Sequence, residues 1–290
     1  AIAANATTVV AVGSSGTLPT SSPAVISFLA VISSSYDGTK WFDRPTTINA
    51  SLAAIAYGGA PANTFVAVGN ATDGSSTIVT SVDGVSWSVR YRGPRQTLFG
   101  VKQFNGRFLA VGTNVMLSSV DGANWSSIPL TGSPTLSQVA YGAGVYVVAG
   151  SPGTLLRSTD GTTWAPRPCG ASGWLNDVVF ANGRFVAVSS TGELVTSADG
   201  LAWTVRTISS LPLSKIIFAG GRFLVPRASG IDYLVSTDGE TWSMEQHGSA
   251  LRLPGMIEFK NRIIAVGEAG SILTQTLPPP PGTSAPIITA

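Results

Sequence analysis

Six aspartates carry the most conspicuous chemistry in this chain, each inside a phrase Ser-x-Asp-Gly-x-x-Trp. They are Asp37, Asp83, Asp121, Asp160, Asp199 and Asp238, followed four positions later by Trp41, Trp87, Trp125, Trp164, Trp203 and Trp242. A set of carboxylates can serve as general acids and bases, and a set of indoles can stack on sugar rings. The same residues also have a structural use. An Asp side chain accepts hydrogen bonds from backbone N–H groups of its own turn, Gly takes the left-handed conformation, and a Ser hydroxyl can close the loop. Successive aspartates are 46, 38, 39, 39 and 39 residues apart. Groups that recur at one period occupy one place in each of several like units, so the structural use is the expectation and a sixfold ligand site the alternative.

Other reactive residues are sparse. His247 is the only histidine, and no Gly-x-Ser-x-Gly elbow accompanies it, which argues against a Ser-His-Asp triad. The single cysteine, Cys169, excludes an internal disulfide framework and a cysteine-based zinc cluster. Residues 70–76, "NATDGSS", lack the alternating carboxylates of a calcium loop and read as a hairpin tip. Acids other than the six phrase aspartates are Asp43, Asp73, Asp177, Asp232, Glu193, Glu240, Glu245, Glu258 and Glu268, and nothing in their spacing marks a catalytic pair. Arg107, Arg184, Arg222 and Arg262 follow one hairpin position of the repeat, and Arg44, Arg90, Arg167 and Arg206 follow another. Repeated placement scatters side chains around an array, so no catalytic residue, metal or cofactor is expected.

Features that do not repeat are the better contact candidates. Trp174 precedes the first strand of a unit and reads either as a stacking platform for a sugar or as a plug between units. Tyr91, Arg92 and Arg95 form a small aromatic and basic cluster. Pro278, Pro279, Pro280 and Pro281 form a stiff spacer in a tail, 277–290, that ends in "APIITA", a segment suited to strand addition on a neighbouring protein.

The elements that must position these residues are short strands. From Leu175 to Arg206 the chain reads "LNDVVF", a turn at Asn182-Gly183, "RFVAV", a turn at Thr191-Gly192, "ELVTS", the Asp199-Gly200 turn, and "AWTVR". Asn-Gly and Asp-Gly supply the positive φ of tight hairpins, and no segment carries helical periodicity. A four-stranded antiparallel meander of about forty residues, repeated, predicts a β-propeller blade. The six phrases plus three further strands after Trp242 predict an all-β, seven-bladed propeller over 1–276, closed by pairing of strands from the two chain ends, with six blades as the alternative. The first unit is irregular, because 17–35 inserts extra residues.

Ser-x-Asp-Gly-x-x-Trp resembles a shortened form of the Asp box of sialidase-type propellers, and the whole unit is similar to propeller repeats of phage structural and bacterial surface proteins. That resemblance implies the fold and no activity, since the arginine triad and tyrosine nucleophile of sialidases have no recognisable counterparts here. Charged residues are 11% and the formal net charge is +2, which supplies no basic stripe for nucleic acid and no polybasic run for a membrane surface. No signal peptide or membrane span is visible. The expectation is a non-enzymatic binding propeller: a structural or decoration protein of a virus particle, made in the cytoplasm and resident on a virion or extracellular surface. Its partners would be proteins of the same assembly, or surface glycans if it is lectin-like; a sialidase-type glycosidase is the remaining alternative.

Overall fold

The structure, a computed structural model, describes residues 1–17, 27–227, 232–246, 255–267 and 270–276. Its strands form seven separate antiparallel sheets, each a meander in chain order. Blade 1 holds β1 (Ile2–Ala4), β2 (Val9–Thr17), β3 (Ser27–Ser35) and β4 (Phe42–Asp43), and blade 2 holds β5 (Ala50–Gly58), β6 (Thr64–Ala71), β7 (Ser76–Ser81) and β8 (Ser88–Arg92). Blade 3 comprises β9 (Leu98–Phe104), β10 (Arg107–Gly112), β11 (Val115–Ser119) and β12 (Ser126–Ser127); blade 4 comprises β13 (Leu136–Gly142), β14 (Val145–Gly150), β15 (Thr154–Ser158) and β16 (Ala165–Pro166). Blade 5 runs through β17 (Leu175–Ala181), β18 (Arg184–Ser189), β19 (Glu193–Ser197) and β20 (Thr204–Thr207). Blade 6 runs through β21 (Ile217–Ala219), β22 (Arg222–Pro226), β23 (Asp232–Ser236) and β24 (Ser243–Gln246), and blade 7 has β25 (Gly255–Phe259), β26 (Arg262–Val266) and β27 (Ile272–Thr276).

Turn chemistry explains the meander. Between the first and second strands, Asn105-Gly106 and Asn182-Gly183 place both central residues at positive φ, 51° and 72° in one, 47° and 72° in the other. That backbone twist matches the right-handed twist of the flanking strands. Outer strands are cut short where proline follows or enters them, as at Pro166 in the two-residue β16, because proline cannot donate to a ladder.

The core lies between blades. Seven hydrophobic clusters fill the seven seams: Ile55 and Phe65 meet Val10 and Ile32 between blades 1 and 2, and Val178 and Phe185 meet Val147 and Leu155 between blades 4 and 5. Phe65, Phe108, Phe185 and Phe223, at the same point of four second strands, are fully buried. The glycine of most Asp phrases also touches the preceding blade, since a Cβ at Gly122 would meet Val66 at 2.9 Å and one at Gly239 would meet Val186 at 3.0 Å.

The ring closes differently from the sequence-based expectation. The N-terminal strands do not enter the last sheet, because β1 supplies the inner strand that completes blade 1, and among the described residues blade 7 has three strands. Packing closes this seam: Val9 lies with Phe259 and Ile264, Lys260 Nζ donates to the Tyr36 carbonyl oxygen at 2.6 Å, and Thr274 Oγ1 donates to that of Gly38 at 3.1 Å. The proline tail, 277–290, and His247 lie outside the described residues.

Candidate functional site

The six repeated carboxylates face their own turns. In blade 3, Asp121 Oδ1 accepts the N–H groups of Ala123 and Asn124, both at 2.8 Å. Ser119 Oγ donates to that carboxylate at 2.9 Å and accepts the Gly122 N–H at 2.8 Å. The same Ser, Asp and Gly geometry recurs at Asp37, Asp83, Asp160, Asp199 and Asp238. Backbone N–H donors hold Asp37, Asp121, Asp160 and Asp238 well below the usual carboxylate range. Their tryptophans are half-buried rather than enclosed between blades, because the outer strand has solvent on one side. Trp125, Trp164, Trp203 and Trp242 each lean on the first aromatic of their own second strand, with ring centroids 6.1 to 6.3 Å apart.

A meander places alternate loops on opposite ends of the ring. Asp turns share one face with the first hairpins, while the second hairpins and the links between blades share the other. This second face carries the non-repeating candidates. Trp174 is 49% exposed, which a plug enclosed between blades would not be. Its backbone is pinned in both directions, its N–H donating to Ser190 Oγ at 3.0 Å and its carbonyl oxygen accepting the Ser190 N–H at 2.8 Å. Beside it Glu193 accepts from Thr191 Oγ1 at 2.8 Å, Ser172 Oγ at 3.0 Å and Ser189 Oγ at 3.1 Å. Burial opposes ionisation of Glu193, but these donors outweigh it and lower its pKa. Cys169 lies in the same inter-blade link, buried, with its Sγ 3.2 Å from the Gly153 carbonyl oxygen.

Tyr91, Arg92 and Arg95 sit on this face at blade 2, away from Trp174 in sequence and blade. Tyr91 packs half-buried against the seam with blade 3, and Arg92 and Arg95 are exposed. Asp73 joins them from the facing hairpin; its pKa is lowered first by the Ser75 hydroxyl and backbone, then by the two guanidinium groups. The repeated arginines do not converge. Arg184 and Arg206 pair with Glu240, Arg222 with Glu245 at 2.8 Å, and Arg44 and Arg90 bond Ser34 and Thr80 on their own blades. Among the described residues no group of three His, Cys, Asp or Glu side chains is placed to hold a metal ion.

The inner strands of all seven blades surround a central cavity of ≈ 460 Å³. Its wall is largely aliphatic and aromatic, with Phe104, Tyr141, Phe180 and Phe218 among the lining residues. Charged and amide side chains interrupt it: Lys102, Gln138, Asp177, Lys215 and, exposed, Glu258. β13 and β17 each carry a bulge between their first and third residues, and Gln138 and Asp177 come directly after it. There Gln138 Oε1 accepts the Val139 N–H at 3.1 Å and Asp177 Oδ1 the Val178 N–H at 3.0 Å. Asp177 Oδ2 takes the Ile216 N–H at 3.1 Å and Lys215 Nζ at 3.0 Å. Burial lowers the Lys102 pKa, with the Lys215 charge adding to this and Asp177 opposing it.

Sequence reasoning named Asp177 only as an unmarked acid and passed over Lys102, Gln138 and Lys215. The available signal was a polar residue at an inner-strand position where sister blades have Gly or Val, as in "LSKIIF" against "LPGMIEF".

No family model and no curated protein matches the chain. Among solved structures it is similar to YCF48 bound to D1 peptide, with a TM-score of 0.68 at 17% identity over 87% of this chain and 88% of that one. It is also similar to YCF48 from Cyanidioschyzon merolae, TM-score 0.64 at 14% identity, covering 90% and 94% of the two chains. A computationally designed protein known from its crystal structure matches with TM-score 0.60 at 12% identity over 85% and 80%. Identities this low carry the seven-bladed propeller fold and nothing finer.

Proposed function

We propose that this chain is a non-catalytic binding propeller whose loop-bearing face, centred on Trp174, docks another protein. The observation that carries the reading is Trp174 itself: a large apolar side chain, half in solvent, on backbone held rigidly by Ser190 and the Glu193 network. Rigid, exposed aromatic anchors are the residues that dominate protein interfaces, because they bury much area while losing little rotamer freedom. The repeated polar chemistry is meanwhile spent within the fold, with each Asp bonded to its own turn, Arg184 and Arg206 paired with Glu240, and Arg222 with Glu245. A solved propeller of similar shape carries a bound peptide, which lends the reading support by analogy.

The setting proposed for this docking is a virus particle or another extracellular surface, with the partner a protein of the same assembly. Density-gradient fractionation of the native source, with mass spectrometry to locate the chain, tests the setting. Crosslinking from position 174 then identifies the partner, and Trp174→Ala should release the chain from particles without unfolding it. A chain that stays free in every fraction refutes the assembly reading. The exposed indole equally suits stacking on a sugar ring, so glycan-array binding lost in Trp174→Ala would support the lectin alternative.

A further inference from the structure

The central cavity holds a cation without a partner. Of the two carboxylates on its wall, Glu258 is exposed and accepts the Gly220 N–H at 2.9 Å, and Asp177 is committed: Val178 and Ile216 N–H groups and Lys215 Nζ occupy its oxygens. Lys102 reaches the same space from β9 and makes no hydrogen bond or ion pair among the described residues. The Gln138 amide nitrogen is likewise unengaged, its oxygen being used on Val139. An ammonium withdrawn from bulk water without a partner is costly, and such groups persist where a counter-charge is supplied.

From this geometry we infer that the cavity is a binding site for a small carboxylate with an apolar body, its anionic end held by Lys102 and the Gln138 amide. The volume of ≈ 460 Å³ falls within the range of small-molecule pockets. The wall decides the rest of the ligand. Val101, Val179 and Ile217 line the cavity together with Tyr141, Phe180 and Phe218, so the space beside Lys102 is matched to hydrocarbon and ring faces rather than to further polar groups. An ion such as phosphate would satisfy Lys102 but leave that apolar wall wet, whereas benzoate or a medium-chain fatty acid would cover both. This site is separate from the Trp174 face and does not depend on what docks there.

The test is calorimetric titration of the intact chain with benzoate, octanoate and inorganic phosphate, each up to ~10 mM, a range that reaches weak affinities. At least one carboxylate should bind, phosphate should bind about tenfold more weakly or worse, and Lys102→Met should weaken the carboxylate by about tenfold or more, as expected for losing a charge-assisted hydrogen bond. Lys102→Met should fold, since it replaces an unpartnered cation with an apolar side chain of similar length; should it not, Gln138→Leu provides the same comparison through the amide. No carboxylate binding to the unaltered chain overturns the inference. So does equal affinity in the variant, and phosphate binding as tightly as benzoate overturns the ligand class.

Discussion

Ser119→Ala is the sharpest test of how the repeated phrase stabilises a blade. Ser119 is 5% exposed, and its oxygen is the partner of the buried Gly122 N–H at 2.8 Å. Removing the hydroxyl strands that N–H, at about 1–3 kcal/mol, and also deletes the bond to Asp121. The vacated space is smaller than one water requires, so solvent cannot repair the loss. Ser119→Ala should therefore cost about 2–3 kcal/mol. Asp121→Ala removes more hydrogen bonds, from Ala123, Asn124 and Ser119, but its turn N–H groups face solvent and water replaces the carboxylate. Its cost should be about 1 kcal/mol, in the range of exposed cap substitutions. Urea unfolding followed by tryptophan fluorescence reads the difference: with a slope of about 2–3 kcal/mol/M, Ser119→Ala should lower the midpoint by ~1 M. A cost for Ser119→Ala below about 0.5 kcal/mol, the scatter of neutral surface changes, would refute the reasoning. So would an Asp121→Ala that is the more damaging of the two.

Gly142→Ala places a Cβ 2.0 Å from Cγ of Phe180, so that ring must give up its 4.6 Å packing on the buried Phe185; thermal unfolding should show a loss of about 1–3 kcal/mol. Gly13→Ala, with nothing within 4 Å of its Cβ, should stay within about 0.5 kcal/mol of the parent. Acid should weaken the fold through the Asp phrases. Folded-state pKa values of Asp37, Asp121, Asp160 and Asp238 lie below the ordinary 3.8, so their stabilisation is complete above that value and is lost as pH falls through it toward the folded values. Melting temperatures measured from pH 6 down to about pH 2 should fall steeply below about pH 4, and a flat profile would remove the carboxylates from the account. Cys169 is buried and burial pushes its thiol up, so alkylation at pH 8 should be negligible until urea unfolds the chain.

Much of this architecture was legible in local sequence. Hairpin turns at Asn105-Gly106 and Asn182-Gly183 require positive φ, and the strands that follow them, Arg107–Gly112 and Arg184–Ser189, are short apolar runs buried along nearly their whole length. Both are decided within a few residues, so the strand limits of blade 5 in the structure follow the sequence closely. The two chain ends were not legible in this way. "TTVVAVGSSG" has the pattern of a second strand anywhere in the ring, and only packing against β1 and β25 shows that blade 1 is complete by itself. Trp174 was visible as an exception to the repeat, but its exposure depends on the Ser190 hairpin and the Glu193 network opposite.

The sequence by itself determined the unit and the turn chemistry of each phrase, because those rest on dihedral preferences and hydrogen bonds between residues a few positions apart, while the choice of seven blades over six came from the seven sheets of the structure. The tertiary structure alone decided which polar groups meet. Lys102, Gln138, Asp177 and Lys215 lie on four different blades, and the spacing along the chain that separates them says nothing of distance across the axis. A closed ring brings every inner strand to one cavity, and there Asp177 is consumed by Lys215 and its neighbouring backbone while Lys102 has no hydrogen-bond or ion-pair partner among the described residues.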